Sequence, residues 1–207
     1  MPDYLSTTTL LILWGTIGYL LGSVPSGMIL ARIMNLGNLR EIGSGNIGAT
    51  NVLRTGNKKA AALTLVFDAS KGAIVVLLAR ALAGEDAAQI GALMAFIGHC
   101  FPVWLQFKGG KGVATYLGIL WALSWPMGAA ACVIWLVVAA VTRYSSLAAL
   151  IAAGWIPIVM AFTDRGETFI LAAVLGILIY ARHWGNIRRL RNGTETRIGA
   201  KPAAKNQ

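Results

Sequence analysis

The sequence predicts an all-α, polytopic integral membrane protein, and three observations support that reading. Hydrophobic residues make up 57% of the 207 and charged residues only 13%. Mean hydropathy is +0.66, and several apolar runs approach the roughly 20 residues a helix needs to cross a bilayer. Most charges fall between these runs, not within them. In a soluble chain, a net charge of +10 and a pI near 10.1 would suggest nucleic acid. Here the sidedness of the basic residues matters more than their sum, so membrane lipid is the expected partner and nucleic acid is not.

The first run covers residues 10–34 and is interrupted by Gly22, Ser23 and Pro25, which predicts a kink or break near its inner end. No basic leader or nearby small-residue cleavage site accompanies it, so it reads as a retained span. A polar segment, 35–59, follows. The second span, 60–83, carries Asp68 and Lys71 well inside it, and Gly84-Glu85-Asp86 turns the chain into the third, 87–107, which holds His99 and Pro102. Residues 113–123 and 127–141 form the fourth and fifth, either one span plus a re-entrant piece or two short spans; the Ser124-Trp125-Pro126 turn favours two. A sixth span ends at Phe162 and contains Pro157, Asp164-Arg165-Gly166-Glu167 turns the chain, and the seventh covers 168–181. Residues 1–198 are expected to form one transmembrane helical domain, and 199–207 a disordered tail. Cys100 and Cys132 lie in apolar runs without metal-binding or redox spacing, so neither a disulfide nor a metal site is expected.

Seven spans put the termini on opposite sides. Arg32, Arg40, Arg54, Lys58, Lys59, Lys108, Lys111, Arg143 and the basic tail share one side, whereas Asp3, Glu85, Asp86, Asp164 and Glu167 share the other with Arg80 and Arg165. The positive-inside rule then places the N-terminus outside and the C-terminus in the cytoplasm.

Three polar runs fall on the cytoplasmic side. In Lys108-Gly109-Gly110-Lys111-Gly112-Val113-Ala114-Thr115, glycines can turn successive amides into one concavity. A helix starting near Val113 would add its positive end. With two lysines and the Thr115 hydroxyl, phosphate is the natural guest. The run is no Walker A loop, since Val113 stands where Ser or Thr should follow the lysine; the alternative is a flexible turn whose lysines only obey topology. The second run, residues 43–54, offers Ser44, Asn46, Thr50 and Asn51 as neutral partners and Arg54 as a planar fork for phosphate, or else serves as a capping segment for the next span. In the third, 182–190, His183 and Asn186 lie three apart on one helical face near Arg188.

Asp68 and Lys71 also lie three apart, either as a mutually neutralising pair or with Lys71 lending its charge to the site. His99 reads as a helix–helix histidine or a site residue. Ser145 and Ser146, beside Arg143, could join a phosphate shell. Glu41 and Glu195 are the only cytoplasmic-side carboxylates outside the spans, which leaves no acidic pair to hold magnesium. Neither histidine has an Asp five positions on, as the common acyl-CoA-dependent glycerolipid acyltransferases require.

Together, residues 43–54, 108–115 and 183–190 resemble, in order, the three cytoplasmic motifs of the bacterial membrane glycerol-3-phosphate acyltransferases that use acyl-phosphate. The resemblance extends to Asp68-Ala69-Ser70-Lys71-Gly72 and Gly98-His99. It implies a multi-pass protein of the bacterial cytoplasmic (inner) membrane. The implied reaction moves a fatty acyl group from acyl-phosphate to the 1-hydroxyl of glycerol 3-phosphate, giving lysophosphatidic acid and phosphate, with no cofactor or metal. On that reading Lys111, the Gly109–Thr115 amides and Thr115 cradle the donor phosphate, and Arg54, Ser44, Asn46 and Asn186 hold glycerol 3-phosphate. His183 orients the hydroxyl or takes its proton, or else the donor's own oxygen takes it. A transporter or channel for a phosphate ester is the rival, but the outer turns are short and no internal repeat supports it. A scaffold for other lipid enzymes would leave three polar runs unexplained.

Overall fold

The computed structural model describes residues 6–163 and 166–200, and among these the regular structure is helical with no strand. Asp3, Asp164, Arg165 and the tail beyond residue 200, for which turn, sidedness and disorder were expected, lie outside the described residues. The chain forms α1 (Thr8–Gly22), α2 (Ser26–Ile33), α3 (Ala49–Leu53), α4 (Lys58–Ala83), α5 (Glu85–Cys100), a 3-10 turn (Val103–Leu105), α6 (Val113–Leu123), α7 (Trp125–Thr142), α8 (Ser145–Phe162), α9 (Gly166–Arg182) and α10 (Trp184–Arg191).

Five spans among the described residues have the length and apolarity to cross a bilayer: Thr8–Ile33, α4, Glu85–Leu105, α7 and α8. A sixth would combine α9 with α10, which are bent by 61° at His183. The expected fourth span, α6, has only 11 residues, too few for a perpendicular crossing. The break foreseen near Pro25 separates α1 from α2. The expected third span ends as an α-helix at Cys100 instead of running to 107, because Pro102 has no N–H to continue it and Gln106 and Phe107 adopt positive φ.

A broken helix inside a bilayer must satisfy its freed backbone groups locally. At the α1–α2 break the Val24 carbonyl accepts both the Ser26 amide at 3.0 Å and Lys71 Nζ at 3.1 Å. Trp104 Nε1 donates to Ser23 Oγ at 2.7 Å, and Tyr19 Oη donates to Phe101 O at 2.9 Å.

Backbones approach closely where small residues face one another, as expected of helix packing in lipid. A Cβ at Gly18 would overlap the Gly91 carbonyl, so α1 lies flat on α5; at Gly118 it would overlap Ala69, which seats α6 on α4. α7 packs on α6 and α8, and α8 on α9. Apolar side chains such as Leu82, Val141 and Phe162 face outward, where lipid would cover them.

Candidate active site

The polar segment between α2 and α4 is organised by one buried side chain. Asn51 Nδ2 donates to Leu39 O at 2.9 Å and Asn46 O at 2.7 Å, while its Oδ1 accepts from the Ser44 amide at 3.1 Å and Arg54 Nη1 at 3.3 Å. A small cluster of Leu39, Val52, Ala31, Ala60 and Ala61 packs beneath. Asn51 therefore shapes the loop that presents Ser44, Asn46 and Arg54; all of its hydrogen-bonding capacity is engaged within the protein.

The glycine-lysine loop owes its composition to close approach more than to free rotation. Only Gly112 has a left-handed backbone, at φ +82°. A Cβ at Gly109 would strike the end of α5 at His99 and Cys100, one at Gly110 the His99 imidazole, and one at Gly112 the Phe96 ring. The Gly109 and Gly110 amides donate to Cys100 O (3.1 Å) and His99 O (3.0 Å). The expectation that these two amides cradle a phosphate is thereby corrected, since both are already engaged. Arg182 holds the other edge, donating to Gly110 O at 3.1 Å and Gly109 O at 3.3 Å, and Arg40 donates to Lys108 O. The amides of Gly112, Val113 and Ala114 at the start of α6 have no acceptor among the described residues, as the first turn of a helix leaves them, and these residues line the cavity together with Lys111.

Thr115 does not join them. It is fully buried, and its hydroxyl donates to Asp68 O at 2.9 Å. Lys71 is likewise placed away from the cavity, 3.0 Å from Asp68, while Lys108 contributes its carbonyl to Arg40 and lies outside the lining. Arg188 stacks on Trp184 with its guanidinium carbon 5.6 Å from the ring centroid and does not line the cavity either. The arginine of α10 that turns inward is its neighbour Arg189.

The remaining candidates meet. A cavity of about 720 Å³ is lined at one end by Ser44, Asn46, Thr50, Asn51, Arg54, Lys111, Gly112, Ser145, Ser146, His183 and Asn186. Lys111 Nζ donates to Asn186 Oδ1 at 2.5 Å. Burial pushes its ammonium down to about 8; Glu195 opposes that shift and Arg189, Arg182 and Arg54 reinforce it. His183 Nδ1 lies 2.8 Å from Ile179 O. A carbonyl can only accept, so the proton sits on Nδ1 and Nε2 is left with its lone pair. Burial, followed by the charge of Lys111, lowers this imidazole to about 4, so it is neutral at ordinary pH. Thr50 and Ser145 hydroxyls pair at 3.1 Å. The other end of the cavity is apolar, formed by Ala61, Ala62 and Leu65 of α4, Leu117 of α6, and Cys132, Trp135 and Leu136 of α7.

One residue in this cavity is a carboxylate that the sequence offered only as an unpaired acid, with no role in the site. Glu195 Oε1 accepts from Asn186 Nδ2 at 2.6 Å and Ser146 Oγ at 2.8 Å, and Oε2 accepts from Arg189 Nε at 2.6 Å. The segment carrying it is tied down by Ile198, whose amide donates to Arg143 O at 2.7 Å and whose carbonyl accepts from Arg143 Nη2 at 2.9 Å. A lone acidic residue downstream of four arginines in a basic segment was the available signal.

Comparison with known proteins gives the chain its relatives. A family profile described as glycerol-3-phosphate acyltransferase matches residues 12–193. Glycerol-3-phosphate acyltransferases of Ruegeria pomeroyi and Roseobacter denitrificans are 59% and 60% identical, over 98% and 95% of this chain and 100% and 98% of theirs. Two crystal structures of PlsY (YgiH), an integral membrane glycerol 3-phosphate acyltransferase, superpose well. The glycerol 3-phosphate form gives a TM-score of 0.87 at 37% identity, covering 91% of this chain and 96% of that one. The lysophosphatidic acid form gives 0.83 at 35%, covering 91% and 95%.

Proposed function

This chain belongs to the glycerol-3-phosphate acyltransferase family, and we propose that it moves a fatty acyl group from acyl-phosphate to the 1-hydroxyl of glycerol 3-phosphate. The observation that carries the reading is a single cavity with two characters: Arg54, Lys111 and polar side chains line one part of it, and apolar side chains of α4, α6 and α7 line the rest. Such a cavity suits a donor whose head is a phosphate and whose tail is an alkyl chain. The protein is a multi-pass membrane protein of bacterial type, and its basic end is the cytoplasmic one on the positive-inside rule.

In this mechanism the donor phosphate lies against Lys111 and the first-turn amides of α6, while the chain occupies the groove between α4 and α7. Arg54, Ser44, Asn46 and Asn186 receive glycerol 3-phosphate. Its 1-hydroxyl oxygen attacks the acyl carbon, the carbon–oxygen bond to phosphate breaks, and the hydroxyl proton passes to His183 Nε2 or to the departing phosphate. Negative charge grows first on the carbonyl oxygen and then on that phosphate. Lys111 and the α6 amides face both and are fixed before reaction, the arrangement that lowers the barrier most efficiently.

The test measures phosphate release and lysophosphatidic acid formation by the purified protein, given acyl-phosphate and glycerol 3-phosphate with EDTA. Turnover that survives chelation and falls about 10²- to 10³-fold in Lys111→Ala is the expected result, the range typical of removing one oxyanion donor. Folded protein that makes lysophosphatidic acid only from acyl-CoA or acyl-carrier protein would overturn the donor assignment.

A further inference from the structure

Beneath the glycine-lysine loop lie three ionisable side chains that the transfer itself does not use. Asp68, Lys71 and His99 are 2%, 8% and 5% exposed, and charges at this depth are costly enough that they mark function or a specific pairing. Asp68 ties several elements together. Its Oδ1 lies 3.0 Å from Lys71 Nζ, which also reaches the α1–α2 break, and 3.6 Å from His99 Nδ1. Its backbone carbonyl accepts the Thr115 hydroxyl in the first turn of α6. Asp68 and His99 line the same cavity as Lys111 and Gly112.

His99 touches the loop in two ways. Its carbonyl accepts the Gly110 amide at 3.0 Å, and its imidazole fills the space a Gly110 side chain would need. A buried ring wedged under a loop fixes its height, and well-packed interiors do not deform smoothly to compensate for its loss. We propose that His99 is a positioning residue of the acyl transfer: its imidazole sets how deep the glycine-lysine loop sits, hence where Lys111 and the α6 amides meet the donor phosphate. The inference rests on the acyl-phosphate reading above and assigns His99 no contact with substrate.

The experiment is a double-substitution cycle with His99→Ala and Gly110→Ala in the full-length, detergent-purified protein. Kinetics with each substrate varied in turn are combined with protection against thermal unfolding by inorganic phosphate. His99→Ala is expected to raise KM for acyl-phosphate about tenfold and leave KM for glycerol 3-phosphate within about twofold, since only the loop moves. Gly110→Ala alone should cost about 100-fold in kcat/KM for the donor, at the upper end of couplings between touching residues. In the His99→Ala background, where the imidazole is gone, the same methyl group should cost less than about threefold. Losses that multiply, or equal effects on both KM values, would overturn the proposal. Should His99→Ala not fold, His99→Asn, which also vacates the ring's space, takes its place. The phosphate-protection arm separates the two readings. If the wild type turns over no acyl-phosphate, the donor assignment fails, and the positioning role is decided by whether phosphate protection shows the same coupling.

Discussion

Replacing Glu195 with Ala removes the acceptor of three hydrogen bonds at once. The Glu195 side chain is 7% exposed and that of Arg189 is 41%, so Arg189 turns to water and loses little, on the order of 1 kcal/mol at most. Ser146 and Asn186, 6% and 5% exposed, stay buried and each forfeits a bond to a charged group worth about 1.5 kcal/mol. Their sum is about 3 to 4 kcal/mol, which for a chain of this size corresponds to a midpoint lower by about 10 °C. Glu195→Gln keeps one oxygen for Ser146 and Asn186 and should lose about half as much. The assay is thermal unfolding of wild type and variant in one detergent at one scan rate, which keeps the midpoints comparable if unfolding is irreversible. The pH dependence has a definite sign. Burial opposes the Glu195 charge, but the bonds from Asn186, Ser146 and Arg189 outweigh it, and the carboxyl is held below its usual value. Its stabilisation is therefore complete above the ordinary carboxylate range and disappears as pH falls through the lowered folded value. A Glu195→Ala protein within about 2 °C of wild type would refute the reasoning.

Lys111, lowered to about 8, should give the donor kcat/KM an alkaline limb near that pH, because the deprotonated amine no longer attracts phosphate; Lys111→Arg should remove the limb. Its effect on stability runs the other way: the buried ammonium costs stability below about 8, and that cost fades as pH rises towards the ordinary lysine value. Gly112→Ala combines φ +82° with a methyl group pushed into Phe96, so thermal melts should show a loss of at least about 2 kcal/mol, and donor turnover should fall more than tenfold, read as phosphate release. Ala62→Trp, which fills the apolar end of the cavity, should raise KM for a long-chain acyl-phosphate by at least about tenfold while sparing KM for glycerol 3-phosphate, since only ground-state binding of the chain is lost. Equal sensitivity of short- and long-chain donors to that change would mean the chain lies elsewhere.

Helix placement was legible because lipid imposes a simple rule: long apolar runs, with charges at their ends. The break at Pro25 and the start of α6 at Val113 carried local backbone signals, and both appear. The early end of α5 did not, since His99 and Cys100 continue the apolar pattern and only Pro102 hints at the stop. In the candidate site, residue chemistry singled out Lys111, Arg54, His183 and Asn186, which all line the cavity, but spacing along the chain could not separate inward from outward neighbours. Arg188 and Arg189 are indistinguishable by type, and one turn of α10 decides between them. Thr115 reads as a phosphate ligand until its hydroxyl is seen on Asp68 O. The amides of Gly109 and Gly110 look free until the end of α5 is placed beside them. Glu195 was hidden because its partners come from α8 and α10, far from it in sequence or on another turn.

Leu65 and Leu136 line the apolar end of the cavity and are nevertheless 47% and 59% exposed. On the proposed reaction, an end open towards the bilayer would let one reactant and one product arrive and leave in two dimensions. The concentration that matters would then be the mole fraction of the proposed acyl-phosphate donor among the surrounding amphiphiles, not its amount per litre. Adding inert detergent at constant bulk donor should slow the reaction in proportion to the dilution of the surface, while the water-borne acceptor obeys ordinary volume kinetics. On the same proposal, lysophosphatidic acid released into that layer would remain a neighbour of the opening it left and compete there until it diffuses away or is consumed.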